Sequence, residues 1–200
     1  MSGKLTLPPN LSERLHTHAQ QPDFGDSGWL HLDPPRLYPA AVLVPLIWKD
    51  NCWRLLFTRR TMEVEEHRGQ VSFPGGARDA QDASFEQTAL REAWEEVGID
   101  PASVAVLGKM ARLNLISDYQ VTPVVGVVPS AFDLIINPIE VARAFTVPLD
   151  WLADTRNFQV RPHQFKNQII HTIYYNEYDG EVIWGATAQI THEFLRLLQD

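Results

Sequence analysis

Between Gly75 and Ile99 the chain reads GGARDAQDASFEQTALREAWEEVGI, and this stretch restricts the possible folds more than any other. A Gly-Gly pair, read as a turn, precedes a helix predicted over about Ser84–Val97. Asp82 or Ser84 is placed to cap its start, and Gly98 stands at the left-handed position that closes many helices. One turn of this helix holds Arg91, Glu92, Glu95 and Glu96. At about 100° per residue, Glu92 and Glu96 share a face roughly 40° wide, and Glu95 is displaced toward Arg91. Like charges at such spacing cost roughly 0.2–0.5 kcal/mol per pair. Leu90, Ala93 and Val97 form the neighbouring apolar stripe, so the acidic edge is expected at the border of a core, where attraction to a cation strengthens. Oxygen donors of this kind suit a hard ion, Mg²⁺ or Mn²⁺, and such ions suit phosphate substrates. Arg91, four residues before Glu95, is placed to fix that carboxylate's rotamer. The glycines allow unusual backbone angles, so that a carbonyl or amide can face the same cation or its phosphate. Three acids on one turn are by themselves more often a solvated face. The order FPGG, capped helix, REAWEE and closing glycine is what favours a metal site.

Two hundred residues, 44% hydrophobic and 21% charged, fit one sizeable α/β domain. The net charge of −8 and the lack of any Lys/Arg-rich run argue against a nucleic-acid polymer as partner. They leave room for a small nucleotide-like molecule whose phosphates a metal can hold. Cys52 is the only cysteine, in a strand-like context that suggests a structural thiol. The N-terminus lacks the cationic start and apolar core of a signal peptide, and no apolar run is long enough for a membrane helix. A soluble, cytoplasmic protein is the expectation; a homodimer is compatible with the sequence.

Residues 1 to 37 read as a polar, proline-punctuated arm packed on the domain, with a short helix around Leu11–Ala19; the domain itself is expected over 38–200. Ala40–Trp48 has the pattern of a buried strand, Lys49-Asp50-Asn51 of a turn, and Cys52–Thr58 of the returning strand. Gln70–Phe73, Val104–Leu107, Val121–Val128 and Arg143–Val147 are further strand candidates. Ile169–Tyr175 and Val182–Ile183 suggest a hairpin around Asp179-Gly180, and Thr187–Leu198 an amphipathic last helix. A mixed sheet with helices on two faces is the natural packing. His16 and His18 read as solvated, and Trp48, Trp53, Trp94, Trp151 and Trp184 mostly as core residues.

At Arg91-Glu92-Ala93-x-Glu95-Glu96-x-Gly98-Ile99 the chain resembles the Nudix hydrolases, whose box reads G-x5-E-x7-R-E-U-x-E-E-x-G-U with U a bulky aliphatic residue. Ala93 is small for its position, and Gly76 lies one residue further from Arg91 than the box requires. The first glutamate of the box is approximated by Asp82 or Asp79. FPGGARDAQD followed by TALREAWEEVGI is similar to the coenzyme A pyrophosphatase branch of that family, as is the upstream series Leu56, Phe57, Thr58, Arg60, Thr61, Gly69 and Phe73-Pro74-Gly75-Gly76. One departure stands out: Glu65 occupies the place of an arginine in that series. Ser117–Gly126, Asn137–Leu149 and Ile183–Ile190 extend the likeness, which covers about residues 38–198.

The resemblance implies a Nudix-type α/β/α sandwich and a metal-assisted attack of water on a diphosphate. Glu92 and Glu96 would be the principal Mg²⁺ or Mn²⁺ ligands, Glu95 a further or water-mediated one, and the Gly76 carbonyl another. Arg91 would support them. Glu92 or Glu140 would be the base. Arg60, His67, Arg68, Gly69, Phe73, Gly75 and Gly76 would line the substrate, of the coenzyme A class. Arg68 stands near enough in sequence to compensate for Glu65. Two other readings stay open: a Nudix enzyme for ADP-ribose, dinucleotides or another nucleoside diphosphate derivative, and a Nudix-fold binding protein without catalysis. Retention of all three glutamates speaks against the last.

Overall fold

The apolar run from Ala40 becomes the central strand, β1 (Tyr38–Lys49), buried on both faces through most of its length. A strand flanked on both sides must hide both faces, which is why its sequence does not alternate. The structure is a computed structural model, describing residues 4–23, 37–62, 69–115, 118–165 and 168–199. β1 runs parallel to β7 (Tyr119–Val128) from Tyr38↔Tyr119 to Ile47↔Val128. On its other edge, the half from Leu46 to Lys49 pairs with β2 (Cys52–Arg60), and Ala40–Val42 pairs with β4 (Gly75–Ala77). The β1–β2 turn has positive φ at Asp50 (53°) and Asn51 (58°), the two-residue geometry that suits the twist of a hairpin and that these side chains tolerate. β3 (Val71–Ser72) and β8 (Val141–Pro148) pair with β2, while β5 (Ala105–Lys109) and β6 (Leu113–Asn114) pair with β7.

Helices cover both faces of this mixed sheet, as expected. Ala89, Ala93 and Val97 of α2 (Phe85–Val97) pack on Ala41, Leu43, Ile47, Leu56, Val124 and Val128. The opposite face, with Val44, Leu46, Leu55, Phe57 and Val125, carries α1 (Leu11–Ala19), α3 (Leu149–Ala153) and α4 (Gly185–Gln199). Among the described residues, no helix is long and apolar enough to cross a membrane.

Several expectations need correction. His18 is not solvated: it is 3% exposed, on the same side of α1 as buried Leu11 and Leu15. Its Nδ1 accepts from the Ala111 amide at 3.0 Å, so its Nε2 carries the hydrogen shared with Glu193 at 3.0 Å. Trp48 and Trp94 are 43% and 52% exposed and lie outside the core. The partner of β10 (Gln168–Tyr175) is β9 (Phe158–Phe165), and the two form a separate two-stranded sheet. β9 escaped the sequence because FQVRPHQF contains a proline and shows no alternation; an edge ribbon tolerates both. The Asp179-Gly180 turn does form, but it closes only the single bridge Tyr178↔Glu181, and residues 182–184 meet β10 at one bridge, Tyr174↔Trp184.

Candidate active site at the inner edge of α2

The start and end of α2 follow from local chemistry. Ser84 Oγ accepts from the Gln87 amide at 3.2 Å, and the Gln87 side chain accepts from the Ala83 amide at 2.8 Å. Gly98, with φ of 73°, takes the left-handed closing position and donates to the Trp94 carbonyl at 3.0 Å. Ser84 therefore caps the helix, which frees Asp82 for another task.

Asp82 is 4% exposed and takes a two-pronged contact from Arg91: Nε to Oδ1 at 3.2 Å and Nη2 to Oδ2 at 3.0 Å. The same guanidinium donates to Glu92 (2.8 Å), Glu95 (3.1 Å) and the Ala77 carbonyl (3.2 Å). Arg91 thus ties β4, the loop before α2 and two helix carboxylates into one fixture. Those hydrogen bonds hold the Asp82 carboxyl down at about 2, against the opposing effect of burial. Of the two aspartates weighed for the early position of the box, Asp82 is the one in contact with Arg91.

The glycine pair is not a turn. Gly75 and Gly76 lie in β4, opposite Val42 and Ala41, and neither has a positive φ. Close approach explains both. A Cβ on Gly75 would stand 2.4 Å from the Ala41 carbonyl oxygen, and one on Gly76 would stand 2.6 Å from the Glu92 carboxyl group. What the site requires of Gly76 is room for that headgroup.

Glu96 is 2% exposed at the end of the same helical face. Arg60, the last residue of β2, brings Nη1 within 3.6 Å of Glu96 Oε1. Among the described residues, the other oxygen, Oε2, is buried without a hydrogen-bond partner, as is Arg60 Nε. Burial pushes the Glu96 carboxyl up to about 8; Arg60 and the Gly75 amide oppose this, while Glu92 and Glu140 add to it. Glu92 is also shifted upward by burial, with Arg91 opposing and Glu95 and Glu140 adding.

Glu140 reaches this neighbourhood because the 135–141 segment docks on the end of α2. The Ile135 amide donates to the Val97 carbonyl (3.1 Å) and the Asn137 amide to the Glu96 carbonyl (2.9 Å). Asn137 Nδ2 then donates to Glu140 Oε1 at 3.3 Å. Asn137 has no place among the sequence-predicted residues; the Asn-Pro step after it was its only local signal.

Glu92, Glu96, Glu140 and Arg60 are therefore gathered, whereas Glu95 turns to Arg91 and is about half exposed, its side chain at 49%. Among the described residues, no three His, Cys, Asp or Glu side chains make a ready ligand cluster. Phe73 is a correction: it is buried and stacked on Phe57 at 4.8 Å, a core residue that cannot line substrate. Gly69, with φ of 67°, donates to the Thr61 carbonyl at 3.3 Å. His67, Arg68 and Glu65 fall outside the described residues.

The family model described as NUDIX domain matches residues 37–168. The chain belongs to the Nudix family. A Photorhabdus laumondii protein described as uncharacterized Nudix hydrolase NudL is 42% identical over 183 residues, 88% of this chain and 97% of its own length. The Yersinia pestis (strain Pestoides F) protein of the same description is 45% identical over 152 residues, 76% of this chain and 75% of its own. Among solved structures, the Nudix hydrolase RenU from M. smegmatis gives a TM-score of 0.50 at 24% identity, over 58% of this chain and 74% of that one. DR0079 from Deinococcus radiodurans gives 0.50 at 16% identity, over 82% and 88%. These two likenesses speak to the fold alone. As a Nudix hydrolase the protein is an enzyme of the diphosphatase class.

Proposed function

We propose that this Nudix enzyme cleaves the diphosphate bond of coenzyme A or its acyl derivatives, giving 3′,5′-ADP and (acyl-)4′-phosphopantetheine. The observation that supports this most is the position of Arg60. It belongs to the upstream series that resembles the coenzyme A branch, and it sits 3.6 Å from buried Glu96. β2 and β3 pair at Thr58↔Ser72 and Arg59↔Val71, and Arg60 donates its amide to the Gln70 carbonyl. Arg60, within the series, therefore lies directly beside Glu96.

Mg²⁺ or Mn²⁺ fits the residues present. The donors are all oxygens, and a buried carboxylate oxygen without a partner is what a cation would complete. Glu92 and Glu96 would hold the ion. Glu95 belongs to the outer layer through Arg91, and Gly76 contributes clearance. The ion would neutralise diphosphate charge and lower the pKa of water. Arg91 keeps the Glu92 headgroup in place, and buried surroundings strengthen every charge interaction there. Glu140, half-buried and oriented by Asn137, is positioned to take the proton of the attacking water. Arg60 is positioned to meet a phosphate.

Purified enzyme should be given coenzyme A, dephospho-coenzyme A and ADP-ribose in parallel with Mg²⁺ or Mn²⁺, and the products resolved by chromatography. Release of 3′,5′-ADP with coenzyme A clearly preferred is the expected result. Indifference to the 3′-phosphate would overturn the coenzyme A assignment in favour of another nucleoside diphosphate derivative, the reading that Glu65 favours. The Glu96→Gln variant should lose at least about a hundredfold in turnover, since the loss of even outer-layer partners of a metal site reaches that size. Near-parent turnover would exclude the assigned role.

A further inference from the structure

Arg60 and Glu96 are paired, but incompletely. Their 3.6 Å separation is too long for a hydrogen bond, and among the described residues each keeps a buried polar atom without a partner, Nε on one and Oε2 on the other. Native proteins rarely leave such atoms unmatched. Arg91, by contrast, spends its donors on four separate residues. The Arg60 side chain is 23% exposed against 2% for Glu96, so Arg60 is the member of the pair in contact with solvent.

We infer that Arg60 is a displaceable counter-ion, occupying Glu96 until a divalent cation takes its place and leaving the guanidinium free for the diphosphate. This rests on the reading that Glu96 receives the cation. In the cation-free protein Arg60 supplies the positive charge beside this buried carboxyl group. An arriving cation meets a like charge within a few ångströms of its ligand. A diphosphate attracts the guanidinium and lowers that obstacle, so ion and substrate assist each other's binding. The release of Arg60 couples the two.

The sign of one effect tests this. Removing Arg60 should tighten cation binding in the absence of substrate, although damage to the site would weaken it. Mn²⁺ binding should be measured by the free-ion EPR signal for the parent, Arg60→Gln and Arg60→Lys. Arg60→Gln is expected to bind Mn²⁺ about tenfold tighter, within the usual range of site-to-site coupling. Arg60→Lys should stay within about threefold of the parent, because the charge remains. Equal or weaker binding by a folded Arg60→Gln overturns the counter-ion role and leaves the metal reading standing. Absence of Mn²⁺ binding in all three overturns both. Should Arg60→Gln fail to fold, the parent itself decides: the Arg60 side-chain Nε–H resonance, assigned by its loss in Arg60→Lys, must shift on titration with Mg²⁺. A resonance that stays in place while Mg²⁺ binds overturns the inference.

Discussion

Arg91 and Arg60 both face carboxylates buried along the inner edge of α2, yet they are built differently. Arg91 makes a bidentate contact with Asp82 and also reaches Glu92, Glu95 and the Ala77 carbonyl. Among the described residues, the Arg60 side chain has one partner, at 3.6 Å, and a buried nitrogen with none. A planar guanidinium with its donors in use is a rigid fixture, since moving it breaks several charge-assisted bonds at once. A guanidinium held by charge alone is free to change partners. The first arrangement places the site, and the second is suited to respond to what enters it.

The largest stability effect that would break this contrast is expected at Arg91. Arg91→Met strands Asp82 in the interior and should cost about 2–3 kcal/mol in urea unfolding, part of the buried-pair penalty being relieved by the partial exposure of Arg91. A loss below about 1 kcal/mol would show that the fixture is not structural.

The glycine pair sharpens the distinction between building the site and operating it. Gly75→Ala drives a methyl group against the Ala41 carbonyl and should cost about 2 kcal/mol in the same measurement. Gly76→Ala meets only the movable end of Glu92, so its stability cost should stay under about 1 kcal/mol. Its turnover should still fall roughly ten- to a hundredfold from misplacement of that carboxylate. Equal stability losses for the two would remove the distinction.

The smallest effect expected is on acid stability. Hydrogen bonds to Arg91 hold Asp82 at about 2 in the folded protein, below the ordinary value of 3.8. Its stabilising contribution is therefore complete above about pH 4 and declines as the pH falls toward 2. The melting temperature should drop less steeply over that interval in Asp82→Asn than in the parent. Identical slopes would mean that the Asp82–Arg91 contact does not govern acid stability.

How much of this was legible in the chain depends on the range of the interactions involved. The cap and end of α2, the Asp50-Asn51 turn, the buried central strand and the Arg91–Glu95 contact are local, set by side chains within a few residues of one another. They match the structure. Phe73 was misread because it sits inside a functional-looking series, although its ring belongs to the Phe57 stack. β9 was missed because a solvent-facing edge ribbon has no periodicity to display.

The sequence by itself determined the family, the class of reaction and the helix that bears the carboxylates, since each depends on residue type and spacing along one segment. Tertiary structure decided the rest. It brought Arg60 of β2 to Glu96, chose Asp82 over Asp79 as the partner of Arg91, and carried Glu140 to the site through the docking of Asn137 on the end of α2. It also buried His18 against Glu193, and it turned the glycine pair from a presumed turn into a strand that leaves room for Glu92. Most of these contacts join residues far apart in the chain. They depend on strand register and helix packing across the sheet, which no short window of sequence contains.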